Sequence, residues 1–562
     1  MKKKQPVVIA LLLLICPFAF SQSKALEKFN QQVKEVINRS APAVVFLADY
    51  DPKAKILTNE LFSGVVIRED GLILTAAHVC FPGKTYIVIF PDGTERTATG
   101  LGRIQSLDAA MMKINEPGSY PNVPLGWSSS LKVNEPCISI AFPGSLNTNT
   151  INTPPAKPKK QVVRLGYVAE PLTRRGTRIR TTCLMEPGDS GGPVFDLYGR
   201  VVGLHSSINQ PVTDNMEIPV DLYRKYWTAL NQPNDYKSLP AEDIVGIDSV
   251  RLIEKNFPGI AKLDSTFVSL KTKYSNYALA IKSVSQGKKI AILGTAIEFK
   301  GKSYLVTKNS MLGDSILVQL PGGKMTDANV ISRNTENDLA LLQLDIKLKS
   351  TIKLNSIKVD SIRATDVGTL LLSAEPESKG VVSVLGTGEF ILKNMSSIGY
   401  LGAASVVKDG KLILSMVQPT AAASEYLKVD DQIISVDNIN LSSPESMVKT
   451  LQKYHPGDLV QVSGMRGDEP FSYAIKLRQR PSDNATHVAS RFDGGRSTRY
   501  DGFTNTFVHD GVIKPDECGS PLFDINGRFI GITMARYSRT SSIATAARGI
   551  QQFVASSLNI SL

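Results

Sequence analysis

The residues best suited to chemistry in this sequence lie in a glycine-rich hexapeptide, GDSGGP, at residues 188–193. A nucleophilic serine needs a tight turn that exposes its hydroxyl and aims backbone N–H groups at one point, and glycine permits such a turn. The alternative is a hairpin turn without chemistry. A chance match to this hexapeptide in a chain of this length has odds on the order of one in 10⁵. Ser190 is therefore the candidate nucleophile.

A serine hydroxyl is a weak nucleophile, so chemistry at Ser190 requires a base and a third group that orients the base. His78 ends an apolar strand, which predicts an imidazole at the mouth of a barrel, and Asp108 opens another apolar stretch. Taken alone, His78 would be an ordinary half-buried histidine and Asp108 a turn residue. Their order ahead of the Ser190 motif favours a His-Asp-Ser triad.

The elements that must position these side chains are short strands. After a segment at 29–40 with apolar residues at helical spacing, β-rich runs alternate with Asp-Gly, Pro-Gly and Tyr-Gly turn signals. This pattern predicts an all-β barrel or sandwich of about 200 residues. The runs are 44–48, 64–67, 72–75, 86–90, 138–142, 162–168, 194–196 and 201–205.

The same pattern begins again near Asp264, so the chain carries one β architecture twice. In the second copy Ser310 and Cys518 stand at the positions of His78 and Ser190, whereas Asp338 persists. About 100 additional residues, the size of a small domain, lie between Asp338 and Cys518. A cysteine without a histidine base has nothing evident to generate a thiolate, so the second copy is interpreted as a scaffold.

With these motifs in order, the chain resembles the chymotrypsin-like serine peptidases of the HtrA (Deg) type over nearly all of its mature length. The resemblance implies that Ser190 attacks the peptide carbonyl, that His78 takes and returns the proton, and that Asp108 fixes the His78 tautomer. It also implies an oxyanion hole made by the N–H groups of Gly188 and Ser190. Asp189 departs from many HtrA proteins, which have Asn there. In digestive enzymes this acid pairs with an N-terminus freed by activation; no activation sequence is recognisable, so Asp189 needs another partner.

The additional segment resembles a PDZ domain. Tyr400, Leu401, Gly402 and Ala403 look like its carboxylate-binding loop, which implies capture of C-terminal peptides by backbone N–H groups and an adjacent strand. A PDZ domain usually follows the peptidase in this family, so insertion into a second barrel departs from the pattern.

Three residues are predicted to bind substrate beside the scissile bond. Leu184 stands where enzymes of this fold that cut after Lys or Arg carry an acid, and an apolar floor does not pair a buried cation. Ser206 and Ile208 fall on the strand that should pair with substrate, with Ile208 narrowing the pocket. We expect Val, Ala, Ile or Leu before the scissile bond, although one methylene discriminates by only about 1–3 kcal/mol.

Composition excludes several other classes of protein. The 562 residues are 42% hydrophobic and 21% charged, near globular averages, so a fibrous or wholly disordered chain is excluded. The net charge of +12 is dispersed. The basic runs near 157–164 and 174–180 carry no interleaved aromatics, so we interpret them as solvated loops and expect no nucleic acid. The five histidines form no pair at metal-ligand spacing, and neither metal nor cofactor is expected.

The first residues, 1–21, have the anatomy of a secretory signal, with a basic start, an apolar run and small residues before the expected cleavage at Gln22. The apolar run is about half as long as a membrane-spanning helix. A bulky Ile15 and a following Pro17 disfavour the alternative of lipidation at Cys16. The mature chain is expected to be secreted or periplasmic, with too few cysteines for a disulfide framework.

We therefore predict a mainly β protein with two chymotrypsin-like double β-barrel domains, the second degenerate, and an inserted PDZ domain. The expected division is a signal peptide at 1–21, a peptidase domain at 22–235, a degenerate domain at 236–391 and 483–562, and the PDZ domain at 392–482. The predicted activity is a serine endopeptidase for polypeptide substrates, in particular unfolded proteins in protein quality control, with an oligomer left open. The alternative is a non-catalytic peptide-binding or chaperone-like protein in which both barrels are scaffolds.

Overall fold

The computed structural model describes residues 8–147, 153–155, 159–249, 260–285, 288–357, 360–395, 397–480 and 488–560. The first seven residues of the predicted signal sequence lie outside these ranges. None of the helices in the described ranges combines the length and the apolar character that a membrane crossing requires.

The first unit consists of two barrels. In the first, six strands close into a ring through pairing of β5 with β6, and the short β13 adds to β5 in parallel. In the second, the strands close in the order β10-β11-β12-β9-β8-β7. The elements are α1 (Val8–Ser40), β1 (Val44–Asp51), β2 (Ile56–Val66), β3 (Leu72–Ala76), β4 (Thr85–Ile89), β5 (Glu95–Ile104), β6 (Ala109–Ile114), β7 (Pro136–Ala141), β8 (Val162–Thr173), β9 (Arg178–Thr181), β10 (Pro193–Phe195), β11 (Val201–Ile208), β12 (Asn215–Pro219), α2 (Val220–Lys225), α3 (Trp227–Leu230) and β13 (Asp235–Tyr236).

The second unit begins with a helix and a ring of strands that repeats the first barrel. The strand order is β14-β17-β18-β19-β16-β15-β20, with β14 pairing back onto β15. The elements are α4 (Ile260–Tyr274), β14 (Ala278–Ser285), β15 (Lys288–Phe299), β16 (Lys302–Lys308), β17 (Asp314–Gln319), β18 (Met325–Asn334), β19 (Leu339–Leu344), β20 (Ile352–Lys353), β21 (Leu370–Ala374), β22 (Gly380–Val384) and β23 (Phe390–Leu392).

An inserted sheet interrupts the second unit after β23. Its strand order is β24-β25-β26-β28-β29, and β27 pairs with β26. Its elements are β24 (Ala403–Lys408), β25 (Lys411–Val417), β26 (Gln432–Val436), β27 (Ile439–Asn440), α5 (Pro444–Leu451), β28 (Leu459–Arg466) and β29 (Glu469–Lys476). Ser443 caps α5, because its side chain accepts a hydrogen bond from the Ser446 N–H.

The second unit then resumes and completes its last sheet, whose strand order is β22-β21-β31-β32-β33-β30-β23. The remaining elements are β30 (Phe503–His509), β31 (Pro521–Asp524), β32 (Phe529–Arg536), β33 (Ser542–Ala546) and α6 (Ala547–Ser557). The predicted mainly β class is confirmed.

Helix α1 joins the two units. The apolar spacing at 29–40 predicts a helix, and the structure buries Phe29, Val33, Val36 and Ile37 in one apolar core that includes side chains of both units. Asn30 adds polar contacts to the second unit, donating to the Gly368 carbonyl at 2.7 Å and accepting from the Leu370 N–H at 3.3 Å.

Because Phe29 is a fully packed aromatic side chain, Phe29→Ala should lower the free energy of unfolding by about 3–5 kcal/mol. Lys28→Ala, at an exposed position on the same helix, should change it by less than about 0.5 kcal/mol. Urea denaturation of both variants measures the difference, and equal midpoints would contradict the packing of α1 on the core.

Candidate active site

One pair of strands brings the first two candidate catalytic side chains together. Strands β3 and β6 pair antiparallel with Ala76 opposite Ala109, so the residues just beyond these ends are neighbours. The Nδ1 atom of His78 lies 2.9 Å from Asp108 Oδ1 and 3.0 Å from Oδ2. The backbone N–H of His78 also donates to Asp108 Oδ1 at 2.9 Å. Asp108 itself has a φ of 63°, a left-handed conformation that aspartate adopts more readily than most residues.

The candidate nucleophile reaches this pair from the second barrel of the first unit. Ser190 lies shortly before β10, and its carbonyl accepts a hydrogen bond from the Ser63 N–H at 2.9 Å. The Oγ atom of Ser190 lies 3.0 Å from His78 Nε2. With Nδ1–H donating to Asp108, Nε2 is the acceptor for the serine hydroxyl. The three side chains therefore form one hydrogen-bonded chain.

Ser206 supports the carboxylate from the other side. Its hydroxyl donates to Asp108 Oδ2 at 2.6 Å. Burial acts to raise the pKa of Asp108, but hydrogen bonds from the His78 ring and from Ser206, together with the charge of His78, hold that pKa below its usual value. Asp108 is therefore an anion at neutral pH, and the Nδ1–H tautomer of His78 follows from this charge.

The nucleophile loop, residues 186–190, contains two backbone amides whose N–H groups are not used in hydrogen bonds among the described residues. Among the described residues, neither the Gly188 N–H nor the Ser190 N–H donates to an acceptor in the protein. The Gly188 carbonyl is engaged by the Ser63 hydroxyl at 2.8 Å. Gly188 has a φ of 98°, and a Cβ there would lie 2.5 Å from the Gly144 nitrogen, so the position requires glycine. Two unpaired amides beside a nucleophile are suited to stabilise an oxyanion.

Asp189 finds its partner in Arg164 of β8. The guanidinium donates from Nη1 to Oδ2 at 2.8 Å and from Nη2 to Oδ1 at 3.4 Å, and the two side chains are 1% and 0% exposed. The Glu186 N–H also donates to Asp189 Oδ2 at 2.8 Å. Burial raises the pKa of Asp189 to about 6, while Arg164 acts in the opposite direction, so the carboxyl is ionised at neutral pH.

The interpretation of residues 157–164 as a solvated basic run is wrong at two positions. Arg164 is buried against Asp189, and Lys159, also buried, places its ammonium 4.3 Å from the centre of the Phe46 ring. The signal that could have revealed Arg164 is its place within the apolar strand β8, where a cation requires a buried acid.

Two family models match parts of the chain. Residues 62–204 match the family described as trypsin-like peptidase domain, and residues 399–477 match the PDZ domain family. The chain carries a trypsin-like peptidase domain and a PDZ domain. The predicted resemblance to HtrA-type serine peptidases is thereby confirmed.

Relatives with related names match only part of the chain. A protein of Bartonella henselae named "Probable periplasmic serine endoprotease DegP-like" is 32% identical over 156 residues, which is 28% of this chain and 29% of the relative. A protein of the same name from Halomonas elongata is 34% identical over 150 residues, 27% and 30% of the two chains. The chain therefore spans less than a third of the length of these curated relatives. The crystal structure of the serine endoprotease from Yersinia pestis covers 80% of this chain and 98% of that chain, at 15% identity and a TM-score of 0.30.

The three predicted substrate-binding residues have different surroundings in the structure. Ser206 has its hydroxyl on Asp108, a contact that the sequence did not predict. Leu184 is half-buried and lines a cavity of about 330 Å³ that residues 381–383 and 510–512 of the second unit also line. Ile208 ends β11 and does not line this cavity. The pocket role of Leu184 and Ile208 stays a prediction.

In the second unit an ion pair occupies the place of the histidine. The Ser310 N–H donates to Asp338 Oδ1 at 2.6 Å, as His78 does to Asp108, but the Lys308 ammonium lies 2.5 Å from Asp338 Oδ2. Cys518 is fully buried, and burial raises the pKa of its thiol to about 11. In the part of the chain that the structure describes, no three His, Cys, Asp or Glu side chains are grouped to hold a metal ion.

The predicted carboxylate loop of the PDZ domain leads into an edge strand. Tyr400 is anchored by its N–H to the Arg478 carbonyl at 2.7 Å, and Leu401 is buried in the domain core. Gly402 has a φ of 77°, and a Cβ there would lie 1.9 Å from the Ala421 Cβ. Across the described ranges, the N–H groups of Leu401 and Gly402 have no acceptor in the protein. Ala403 begins β24, which is the edge of its sheet.

Because Ser206 holds Asp108 in its charged form, Ser206→Ala should slow the reaction of Ser190 with a fluorophosphonate about tenfold, the loss expected for one hydrogen bond to a charged group. Ser207→Ala is the matched control, since the Ser207 side chain is exposed on the same strand, and it should react at the parent rate. Mass spectrometry measures the rate at which each variant is labelled. Equal labelling rates for Ser206→Ala and Ser207→Ala would contradict the role assigned to Ser206.

Proposed function

We propose that this chain is a serine endopeptidase that hydrolyses peptide bonds through an acyl-enzyme on Ser190, acting outside the cytoplasm on unfolded proteins in quality control. The observation that carries the proposal is the hydrogen-bonded chain from Asp108 through His78 to Ser190, with the unpaired N–H groups of Gly188 and Ser190 beside it. Relatives named periplasmic serine endoproteases support the reaction and the compartment.

The mechanism follows from these atoms. Ser190 Oγ attacks the peptide carbonyl while His78 Nε2 accepts the hydroxyl proton, and the N–H groups of Gly188 and Ser190 stabilise the oxyanion. The imidazolium, held by Asp108, donates its proton to the leaving amine as the C–N bond breaks. Water then attacks the ester, His78 accepts a proton from it, and Ser190 regains its own proton as the acid product leaves.

The alternative function is a non-catalytic peptide-binding or chaperone-like protein, and an Asp189 without a partner would favour it. Because Asp189 pairs with Arg164, this argument for the alternative no longer applies. We further propose an uncharged specificity pocket that includes Leu184 and Ile208 and favours small or medium aliphatic residues.

We propose that the second unit is a pseudopeptidase scaffold, because Cys518 is buried with a raised pKa and Lys308 pairs with Asp338. The proposed division is the signal peptide at 1–21, peptidase domain at 22–235, pseudopeptidase domain at 236–391 and 483–562, and PDZ domain at 392–482. Cleavage of the signal would release the chain to the periplasm or the exterior.

We also propose that the PDZ domain binds C-terminal peptides. The free N–H groups of Leu401 and Gly402 suit a terminal carboxylate, and the unpaired edge of β24 suits an added peptide strand.

Ser190→Ala should lower peptide hydrolysis by roughly 10⁴–10⁶-fold, because it removes the nucleophile. Cys518→Ser is the control for the second unit and should keep turnover within about twofold of the parent. Both are measured on an unfolded protein substrate. Appreciable hydrolysis by purified Ser190→Ala, or loss of hydrolysis in Cys518→Ser alone, would show that the nucleophile is misassigned.

Amidation of the peptide end should weaken PDZ binding about tenfold or more, because the terminal carboxylate accepts charge-assisted hydrogen bonds. Calorimetry on the full Ser190→Ala chain compares one peptide, ending in an aliphatic residue, as acid and as amide. Gly402→Ala should abolish the difference in affinity between the acid and the amide, because the new Cβ would collide with Ala421 and displace the loop. Gly410→Ala lies at a turn with open space around it and should preserve that difference. Equal affinity for acid and amide would refute the proposal.

A further inference from the structure

The loop between β32 and β33, residues 537–541, is a polar loop without exposure to solvent. Ser538, Arg539, Thr540 and Ser541 are 2%, 1%, 0% and 0% exposed. Loops normally run over the surface, because buried irregular backbone and polar side chains lose their hydrogen bonds to water. A loop of this composition is stable in a buried position only if the surface that covers it supplies partners. Here the covering surface belongs to the first unit.

Thr540 binds both charged groups that hold the nucleophile loop. Its Oγ1 donates to Glu186 Oε2 at 3.1 Å and accepts from Arg164 Nη2 at 3.1 Å. Arg164 is the partner of Asp189, and the Glu186 N–H donates to Asp189. One hydroxyl of the second unit therefore completes the network around the residue that precedes Ser190.

Two neighbours of Thr540 bind the segments on either side of the nucleophile loop. The Tyr537 hydroxyl donates to the Ser145 carbonyl at 2.5 Å, and Ser145 in turn donates from its own hydroxyl to Glu186. Arg539 donates from Nη2 to the Val212 carbonyl at 2.7 Å and to Asn215 Oδ1 at 3.2 Å. Loop 537–541 thus contacts three segments of the first unit around the nucleophile loop, near residues 145, 186 and 212–215.

The nucleophile loop needs such support for a physical reason. An amide that lacks an acceptor is available for a new hydrogen bond, and the nucleophile loop contains two such amides among the described residues, at Gly188 and Ser190. Glycine at 188 allows the adjoining peptide to rotate and pair one of them internally, which would close the oxyanion site. Contacts that fix Glu186 and Asp189 oppose that rotation.

We propose that loop 537–541 of the second unit orders the nucleophile loop of the peptidase domain, with Thr540 as the principal positioning residue. The second unit, without chemistry of its own, thereby keeps the oxyanion site of the first unit open. This inference rests on the proposed peptidase activity, which Ser190→Ala and fluorophosphonate labelling test separately.

Thr540→Val in the full chain keeps the shape of the side chain and removes both hydrogen bonds to the first unit, together with the contacts of the hydroxyl to Ser538 and Ser541. It should lower kcat by roughly 10- to 100-fold with KM within about threefold of the parent, and Thr540→Ser should restore most of the rate. Thr545→Val is the matched control. Thr545 is a buried threonine of the neighbouring strand β33, and its hydroxyl has no partner among the described residues. The kcat of Thr545→Val should therefore stay within about twofold of the parent value.

Amide hydrogen exchange in residues 184–190 provides a readout that does not depend on turnover. Thr540→Val should accelerate it about tenfold or more, and Thr545→Val should leave it unchanged. If Thr540→Val fails to fold, Tyr537→Phe tests the same loop through its contact with Ser145. Unchanged exchange and unchanged kcat in a folded Thr540→Val chain would overturn the inference. An inactive parent in which only Thr540→Val accelerates exchange would overturn the peptidase proposal and leave the ordering role supported.

Discussion

The buried ion pair between Arg164 and Asp189 is the constraint on which the surroundings of Ser190 depend. Removing a carboxylate and a guanidinium from water costs several kcal/mol per ion, and their attraction offsets this cost only with good geometry and satisfied hydrogen bonds. Most of these hydrogen bonds are made, since Asp189 also accepts from the Glu186 N–H and Arg164 also donates to Thr540, but Arg164 Nε has no partner among the described residues. Loss of one partner would leave an uncompensated buried charge, at about 3–5 kcal/mol. The pair therefore specifies one conformation of the nucleophile loop more than it adds net stability.

The aspartate that persists in both units has a role besides chemistry. Asp108 and Asp338 share a left-handed backbone, with φ of 63° and 58°, and the carboxylate of each accepts from the N–H of the second residue beyond the neighbouring strand. This contact fixes the turn after β3 in one unit and after β16 in the other. Where a histidine is present, the same carboxylate orients it. Where it is absent, the Lys308 ammonium neutralises the buried charge. Asp338 therefore has structural contacts, to the turn and to Lys308, that do not require a histidine.

The features that sequence could predict are those with local backbone requirements. The glycine turn at Ser190, the strand that ends at His78 and the turn at Asp108 each need particular residue types at fixed spacing, and the structure brings these three side chains together. Strand periodicity also predicts which residues face inward. It does not predict what covers them: Arg164 and Thr540 are 376 positions apart, and no pattern within strand β8 or loop 537–541 indicates the contact. The same limit applies to Ser206, which was expected to face substrate but donates to Asp108.

The site of the PDZ insertion is compatible with an intact second unit for a topological reason. Strands β23 and β30 are antiparallel neighbours, with Leu392 opposite Phe503, so the chain leaves and re-enters the sheet at adjacent points. The Asp501 carboxylate holds the segment that enters the inserted domain, because it accepts hydrogen bonds from the N–H groups of Met395 and Ser397.

Strand β30, which follows the PDZ domain, also pairs with β33, and β33 begins directly after loop 537–541. The strand that follows the PDZ domain therefore lies against the strand that follows this loop. The inserted domain and loop 537–541 are therefore connected to neighbouring strands of one sheet.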